Sequence, residues 1–177
     1  MTRIESYRQD AEYAFGELLK VVEELTEAES WAVLPSADDD YLHTDGSIHG
    51  LVLHIAGSKW AYASIGFHNT EIRWRDMAEQ VASFEPSWQA ALDYLRKGHD
   101  YWMASWADLT EDDLDRMVPT NYKEDWPAWR MIQQMNFHDT YHAGQIAVVR
   151  YATTGSSSPP PSCAEDIRTY CRDSKHW

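Results

Sequence analysis

The sequence predicts an all-α protein, built as a four-helix bundle with a C-terminal linker and a short extra helix. Four segments repeat apolar residues at intervals of three and four, and no segment alternates apolar and polar residues as a half-buried strand does. The length of 177 residues suits one domain with a sizeable core. We expect the bundle to occupy residues 1–153 and a Ser/Pro-rich linker and tail to occupy residues 154–177.

The first two helices are predicted on either side of an acidic, turn-rich stretch, residues 35–46. The first runs from about Ile4 to about Ala28, and the second runs from Ser47, a typical N-cap residue, to Gly66. Their inward stripes are Ile4, Tyr7, Ala11, Ala14, Leu18, Val21 and Leu25 in the first helix, and Leu51, His54, Ser58, Ala61 and Ile65 in the second.

The third helix is predicted to start at Pro86, since proline suits a first helical turn. The fourth begins near Asp125 and Pro127 and runs to about Thr153, with Gly155 as the stop signal. The stretches 67–85 and 108–124 are read as long connections, so helix order and direction are not predicted. The inward stripes are Trp88, Leu92, Leu95, His99, Trp102 and Trp106 in the third helix, and Met131, Met135, His138, His142, Gln145, Val149 and Ala152 in the fourth.

The C-terminal segment differs in composition from the bundle. Residues 155–161 read Gly-Ser-Ser-Ser-Pro-Pro-Pro, which favours an extended linker, and a short helical segment is predicted at about 164–173. Cys163 and Cys171 are too few for a disulfide framework. With no secretory leader and no apolar run of membrane-spanning length, we expect a cytoplasmic protein with reduced thiols. A disulfide between the two cysteines is the alternative.

Charge and aromatic content restrict the classes of partner. The chain carries 29 acidic and 15 basic residues, for a formal net charge of −14. An acidic surface repels phosphate backbones, and no basic cluster is present, so nucleic acid is not expected as a partner. Nine Trp and ten Tyr residues are many for this length. Because their polar tips need partners, such residues often line pockets or interfaces.

Three histidines fall on inward stripes and form the candidate site. His138 and His142 lie four residues apart, so their side chains project from the same helix face. His54 occupies an inward position on the second helix. Two interpretations fit this pattern: three core histidines that are each satisfied by hydrogen bonds, or three ligands of a single metal ion.

Two motifs resemble those of the DinB/YfiT-like family. The run His138-Asp-Thr-Tyr-His142-Ala-Gly-Gln145 is similar to that family's C-terminal HxxxHxGQ motif, and residues 47–56, Ser-Ile-His-Gly-Leu-Val-Leu-His-Ile-Ala, are similar to its second-helix signature. The resemblance covers the four helices, about residues 1–153. It implies a four-helix bundle, a site in which His54, His138 and His142 bind one divalent ion such as Zn²⁺ or Ni²⁺, and frequently a homodimer.

Other residues are candidates for the surroundings of this site. Gln145 lies one turn beyond His142 and could fix a ligand ring by a hydrogen bond. His99 could be a fourth ligand, a general base or a hydrogen-bonded core residue. Tyr141 could line a pocket, whereas core packing is the default interpretation for Trp102 and Trp106. These roles remain open at this stage.

Three further positions receive simpler interpretations. His49 precedes His54 by five residues, about 140° from the stripe, and is expected at the surface. Asp139 gives the run HDxxH, which approximates the HExxH motif of zinc proteases, but Asp is shorter than Glu and no third ligand follows at a suitable spacing. Protease chemistry is therefore disfavoured. Gly144 is read as allowing close helix packing.

The resemblance also implies a chemistry. Characterised branches of the family include enzymes that use low-molecular-weight thiols, so the chain is interpreted as a divalent-metal-dependent thiol S-transferase in which the metal activates the thiol. We then expect a small-molecule substrate and a low-molecular-weight thiol as partners. The alternatives are a metal-dependent hydrolase and a non-enzymatic, stress-related metal-binding bundle. No catalytic residue besides the metal ligands is predicted.

Overall fold

The computed structural model describes residues 1–34, 44–83 and 86–154, and in these ranges it is an α-helical bundle with almost no sheet. The predicted fold class is confirmed. The predicted tail, with Gly155, both cysteines and the segment at 164–173, lies outside the described residues. The helices are α1 (Arg3–Val22), α2 (Glu27–Ser30), α3 (Ile48–Phe67), α4 (Trp74–Ala82), α5 (Trp88–Ser105) and α6 (Ala128–Thr154), with a 3₁₀ turn at Asp112–Asp115 and strands β1 (Met117–Val118) and β2 (Trp126–Pro127).

Side-chain caps set where the helices begin. Ser47 Oγ accepts a hydrogen bond from the Gly50 N–H at 2.9 Å, so the predicted N-cap of α3 is confirmed. The start predicted at Pro86 is wrong, because Ser87 is the N-cap of α5 and the proline lies before it. The first helix was predicted to extend to Ala28 but ends at Val22. The reason is a second capping box, Thr26 with Glu29, which starts α2.

The two long stretches read as connections contain structure of their own. Helix α4 forms within residues 67–85, where the Arg73 N–H donates to the Asp76 carboxylate at 2.8 Å. The second stretch contains the 3₁₀ turn and β1, which pairs antiparallel with β2. The apolar residues of α4 are spaced i, i+3, i+4 and i+7, so its amphipathic stripe was an available signal that the sequence analysis missed: Trp74, Met77, Ala78 and Val81.

The two core clusters define helix direction. One cluster joins the C-terminal halves of α1 and α6 to the N-terminal halves of α3 and α5, and the other joins the opposite ends of these four helices. Thus α1 and α6 run parallel, and α3 and α5 run parallel in the opposite direction. Gly98 allows close contact between α3 and α5, since a Cβ there would lie 3.2 Å from the Ala56 carbonyl oxygen. The packing role predicted for Gly144 is wrong, because a Cβ there would meet nothing within 4 Å.

Helix α3 lies at the centre of the bundle and packs against α4, α5 and α6. It is buried on nearly every face, and Lys59 is its only Lys, Arg, Asp or Glu. Among the described helices, none is long and apolar enough to span a membrane. The central position of α3 brings His54 opposite the inward face of α6.

Candidate metal centre

Three imidazole rings meet where α3 faces α6. His138 Nε2 lies 3.2 Å from His54 Nε2 and 3.1 Å from His142 Nε2. One nitrogen from each ring lies within 4.8 Å of the other two. The structure therefore brings together the three histidines that were singled out in the sequence; their role as metal ligands remains a prediction.

Two of the three separations between these nitrogens fit a single ion. Two imidazole nitrogens at about 2.0–2.1 Å from a tetrahedral Zn²⁺ are about 3.3–3.4 Å apart, close to the two observed separations. An ion would accept the lone pairs of all three rings at once, whereas three nitrogens that all present lone pairs cannot hydrogen-bond to one another. All-nitrogen donors suit Zn²⁺ or Ni²⁺ better than Mg²⁺ or Ca²⁺, which prefer oxygen.

Gln145 fixes the tautomer of one ring. Its amide oxygen lies 2.6 Å from His142 Nδ1. Because an amide oxygen only accepts, Nδ1 carries the proton and the lone pair of Nε2 faces the other two rings. The sequence-based interpretation of Gln145 thus agrees with the hydrogen bond that the structure contains.

The environment of the centre favours the neutral form of two of the three rings, His138 and His142. Burial, with the neighbouring His142, His54 and Lys59, lowers the pKa of His138 to about 2. Burial also lowers the pKa of His142, although the hydrogen bond to Gln145 opposes that shift. At neutral pH His138 and His142 are therefore in the neutral form that ligates metal ions.

Asp139 points away from this centre into the core. Its carboxylate lies 2.6 Å from Lys59 Nζ, and the two side chains are 2% and 1% exposed. Burial raises the pKa of Asp139, whereas the adjoining ammonium of Lys59 opposes the increase. Asp139 is therefore not positioned as the general base of an HExxH protease, in agreement with the disfavoured reading of HDxxH.

A cavity of about 1040 Å³ adjoins the three histidines. Helix α4 supplies one wall through Trp74, Met77 and Val81, and exposed aromatic residues of α6 lie where the cavity meets solvent. Ser58 also lines it, with Oγ 3.5 Å from His138 Nε2. A cavity of this size accommodates a drug-sized organic molecule beside the centre.

Two histidines occupy places that the sequence did not define. His99 is buried against Phe15, with ring centroids 3.7 Å apart, and its Nδ1 lies 3.3 Å from Lys59 Nζ. It belongs neither to the three-histidine cluster nor to the described lining of the cavity, which leaves the core role. The surface position predicted for His49 is wrong: His49 is 2% exposed and stacks on Trp31 at 3.8 Å.

The aromatic candidates separate into two groups. Tyr141 is 58% exposed, lines the cavity and lies edge-on to His142, with centroids 5.2 Å apart. Trp102 and Trp106 are buried in the core, as the default interpretation had it.

Residues that sequence reasoning missed are Ser58, Tyr62 and Trp74. The first two follow His54 by four and eight residues, so helical spacing from His54 could have identified them. Trp74 could not be placed without α4.

The family model of the DinB superfamily matches residues 11–146. A conserved protein from Enterococcus faecalis, known from its crystal structure, superposes with a TM-score of 0.68 over 88% of this chain and 99% of that chain, at 14% sequence identity. At that identity the likeness concerns the fold. No curated protein matches the sequence significantly.

Proposed function

Because the chain belongs to the DinB superfamily, we propose that His54, His138 and His142 hold one divalent ion, Zn²⁺ or Ni²⁺, and that the protein is a metal-dependent thiol S-transferase. The observation that carries the metal proposal is the convergence of three imidazole nitrogens beside an open cavity. Three neutral ligands leave the ion its full charge and leave coordination positions for a small molecule.

A bound divalent ion would lower the pKa of a coordinated thiol and so supply a thiolate at neutral pH. In the overall reaction the thiol sulfur bonds to an electrophilic carbon, the leaving group departs with the bonding electrons, and the thiol proton passes to solvent. The described cavity lining contains one carboxylate, Asp45, whose Oδ1 already accepts from the Ser47 N–H and hydroxyl, so activation of the nucleophile would rest on the ion.

The protein's own side chains orient a ligand ring and shape the cavity that would bind the substrate. Gln145 holds the His142 ring with Nε2 inward. Trp74, whose ring lies 6.3 Å from that of His54, and Tyr62, at 6.1 Å from Trp74, cover the apolar side of the cavity and exclude water there. The electrophile would enter past Tyr141 at the solvent side.

Metal content tests the first part. The purified protein should bind one equivalent of Zn²⁺ or Ni²⁺ by elemental analysis. Replacing any one of the three histidines with Ala should lower the affinity by at least a hundredfold. His68→Ala is the matched control, since it removes an imidazole of α3's C-cap outside the cluster. If each of the three Ala variants bound metal as tightly as the wild type, the metal proposal would be refuted.

Turnover tests the second part. The metal-loaded protein is assayed with several low-molecular-weight thiols and alkyl or aryl electrophiles, following thioether formation by mass spectrometry. Metal-dependent product should form with the wild type and be lost in His142→Ala. Hydrolysis of the electrophile in place of thioether formation would support the hydrolase alternative instead.

A further inference from the structure

We propose that the cavity beside the three histidines takes a substrate with an aromatic or apolar body that is uncharged or cationic, apart from the one group that coordinates the ion. This inference deepens the proposed function by naming the substrate class of the same site.

The charges of the cavity lining carry the proposal. Among the lining residues that the structure describes, Asp45 is the only Asp, Glu, Lys or Arg, so no cationic side chain is present to neutralise an anionic substituent. An organic carboxylate or phosphate would lose its hydration without gaining a partner, which is costly.

Asp45 is fixed rather than free to turn away. Its Oδ1 accepts from the Ser47 N–H at 3.0 Å and from the Ser47 hydroxyl at 2.6 Å. Gly50 packs against it, since a Cβ at Gly50 would overlap the same oxygen. A carboxylate held at the cavity repels an anionic substituent and attracts a cationic one.

Aromatic residues form much of the remaining lining. Trp74 and Tyr62 meet edge-to-face, and the Tyr62 hydroxyl donates to Tyr122 Oη at 2.7 Å. Burial raises the pKa of Tyr62, so the phenol stays protonated and adds no cationic or anionic charge at neutral pH. Ring faces of this kind pack on flat apolar groups and attract organic cations. Phosphate esters and polycarboxylates are the classes that this lining disfavours.

The test uses three benzohydroxamates that share one ion-coordinating group and differ only in the para substituent: methyl, aminomethyl or carboxylate. Calorimetric titration of the zinc-loaded full chain should give comparable affinities for the methyl and aminomethyl compounds and at least tenfold weaker binding for the carboxylate. Asp45→Asn keeps the acceptor oxygen of the α3 cap. This variant should bind the aminomethyl compound more weakly, and the difference in affinity between the methyl and carboxylate compounds should become smaller. Asp93→Asn, which removes an exposed charge on α5, should change neither ratio.

A second arm separates the two proposals. The same three substituents on benzyl alcohol, which lacks the chelating group, are titrated by NMR into the metal-stripped chain, where the same order of affinity is expected. Equal affinity of the carboxylate and methyl compounds in either arm would overturn the substrate class. If zinc failed to bind while the benzyl alcohols kept the predicted order, the metal proposal would fail and the substrate class would be supported.

Discussion

Replacing Lys59 by Met should destabilise the protein by about 4 kcal/mol, because it leaves the Asp139 carboxylate buried without its partner. Breaking a buried ion pair by removing one member typically costs about 3–5 kcal/mol. Here Lys59 Nζ and Asp139 Oδ2 are 2.6 Å apart, and both side chains are almost fully buried. Asp139 Oδ1 already has no hydrogen-bond partner among the described residues, so no other group can compensate.

The size of the side chain contributes little to this loss. Met matches the aliphatic part of Lys and keeps its packing near Phe15, whose ring centroid lies 5.3 Å from Lys59 Nζ. A double variant, Lys59→Met with Asp139→Leu, should recover to within about 1 kcal/mol of the wild type, since apolar replacement of a whole buried pair is often neutral. Lys97→Met, at an exposed position of α5, should change stability by less than about 0.5 kcal/mol.

Urea unfolding of the metal-stripped protein, followed by circular dichroism, measures these free energies, with m-values compared between variants. Removing one partner of a buried pair should lower the free energy of unfolding by at least about 3 kcal/mol. A decrease below about 1 kcal/mol in Lys59→Met would therefore refute this expectation. So would a double variant that is as unstable as the single one. Since the pair joins α3 to α6 next to His138, the single variant should also bind zinc more weakly, and the double variant should restore part of that affinity.

Three further predictions concern pH, metal affinity and assembly. Burial lowers the pKa of His99 to about 3, so this ring takes up a proton on unfolding; stability falls as pH drops from about 6.5 towards 3, by up to about 1.4 kcal/mol per pH unit. In urea unfolding, His99→Gln should reduce the slope of the free energy of unfolding against pH by up to about 1.4 kcal/mol per pH unit. An unchanged slope would contradict the lowered pKa of His99. Gln145→Ala should weaken zinc binding by about 10–100-fold in competition with a chelator, and undiminished affinity would show that its hydrogen bond does not orient the ring. We propose a homodimer that uses the exposed residues Val148 and Tyr151 of α6, so Val148→Glu with Tyr151→Glu should give monomers in sedimentation velocity; a wild type that is monomeric at micromolar concentration would refute it.

The sequence predicted the helices that have many apolar repeats and most residues on their inward stripes; Ala152, predicted inward near the end of the fourth helix, is exposed. It could place His54, His138 and His142 on facing surfaces because each lies on such a stripe. It misplaced His49, because an angle from the stripe predicts exposure only for a helix with one solvent face, and α3 is buried almost all round. Lys59 carried an available signal: it is the one Lys, Arg, Asp or Glu of an otherwise apolar helix.

Tertiary contacts decided the remaining features. Nothing local in the sequence relates Tyr62 to Tyr122, which lie sixty residues apart and meet through their hydroxyls. Pro86 and Ser87 are both residues that favour a helix start. The hydrogen bond from the Ala90 N–H to Ser87 Oγ shows that Ser87 is the N-cap of α5. Helix direction likewise required knowing which ends of the helices share a core cluster.

Helix α4 lies on the crossover between the parallel helices α3 and α5. Because of this placement, substitutions in the cavity wall are separate in sequence from substitutions of the histidines. The three histidines belong to α3 and α6, whereas Trp74, Met77, Ala78 and Val81 come from a nine-residue helix that contributes one buried residue of its own, Met77. Substitutions of these four residues can therefore reshape the cavity while the histidine cluster itself is kept. A library restricted to this one segment is a direct route to altered selectivity.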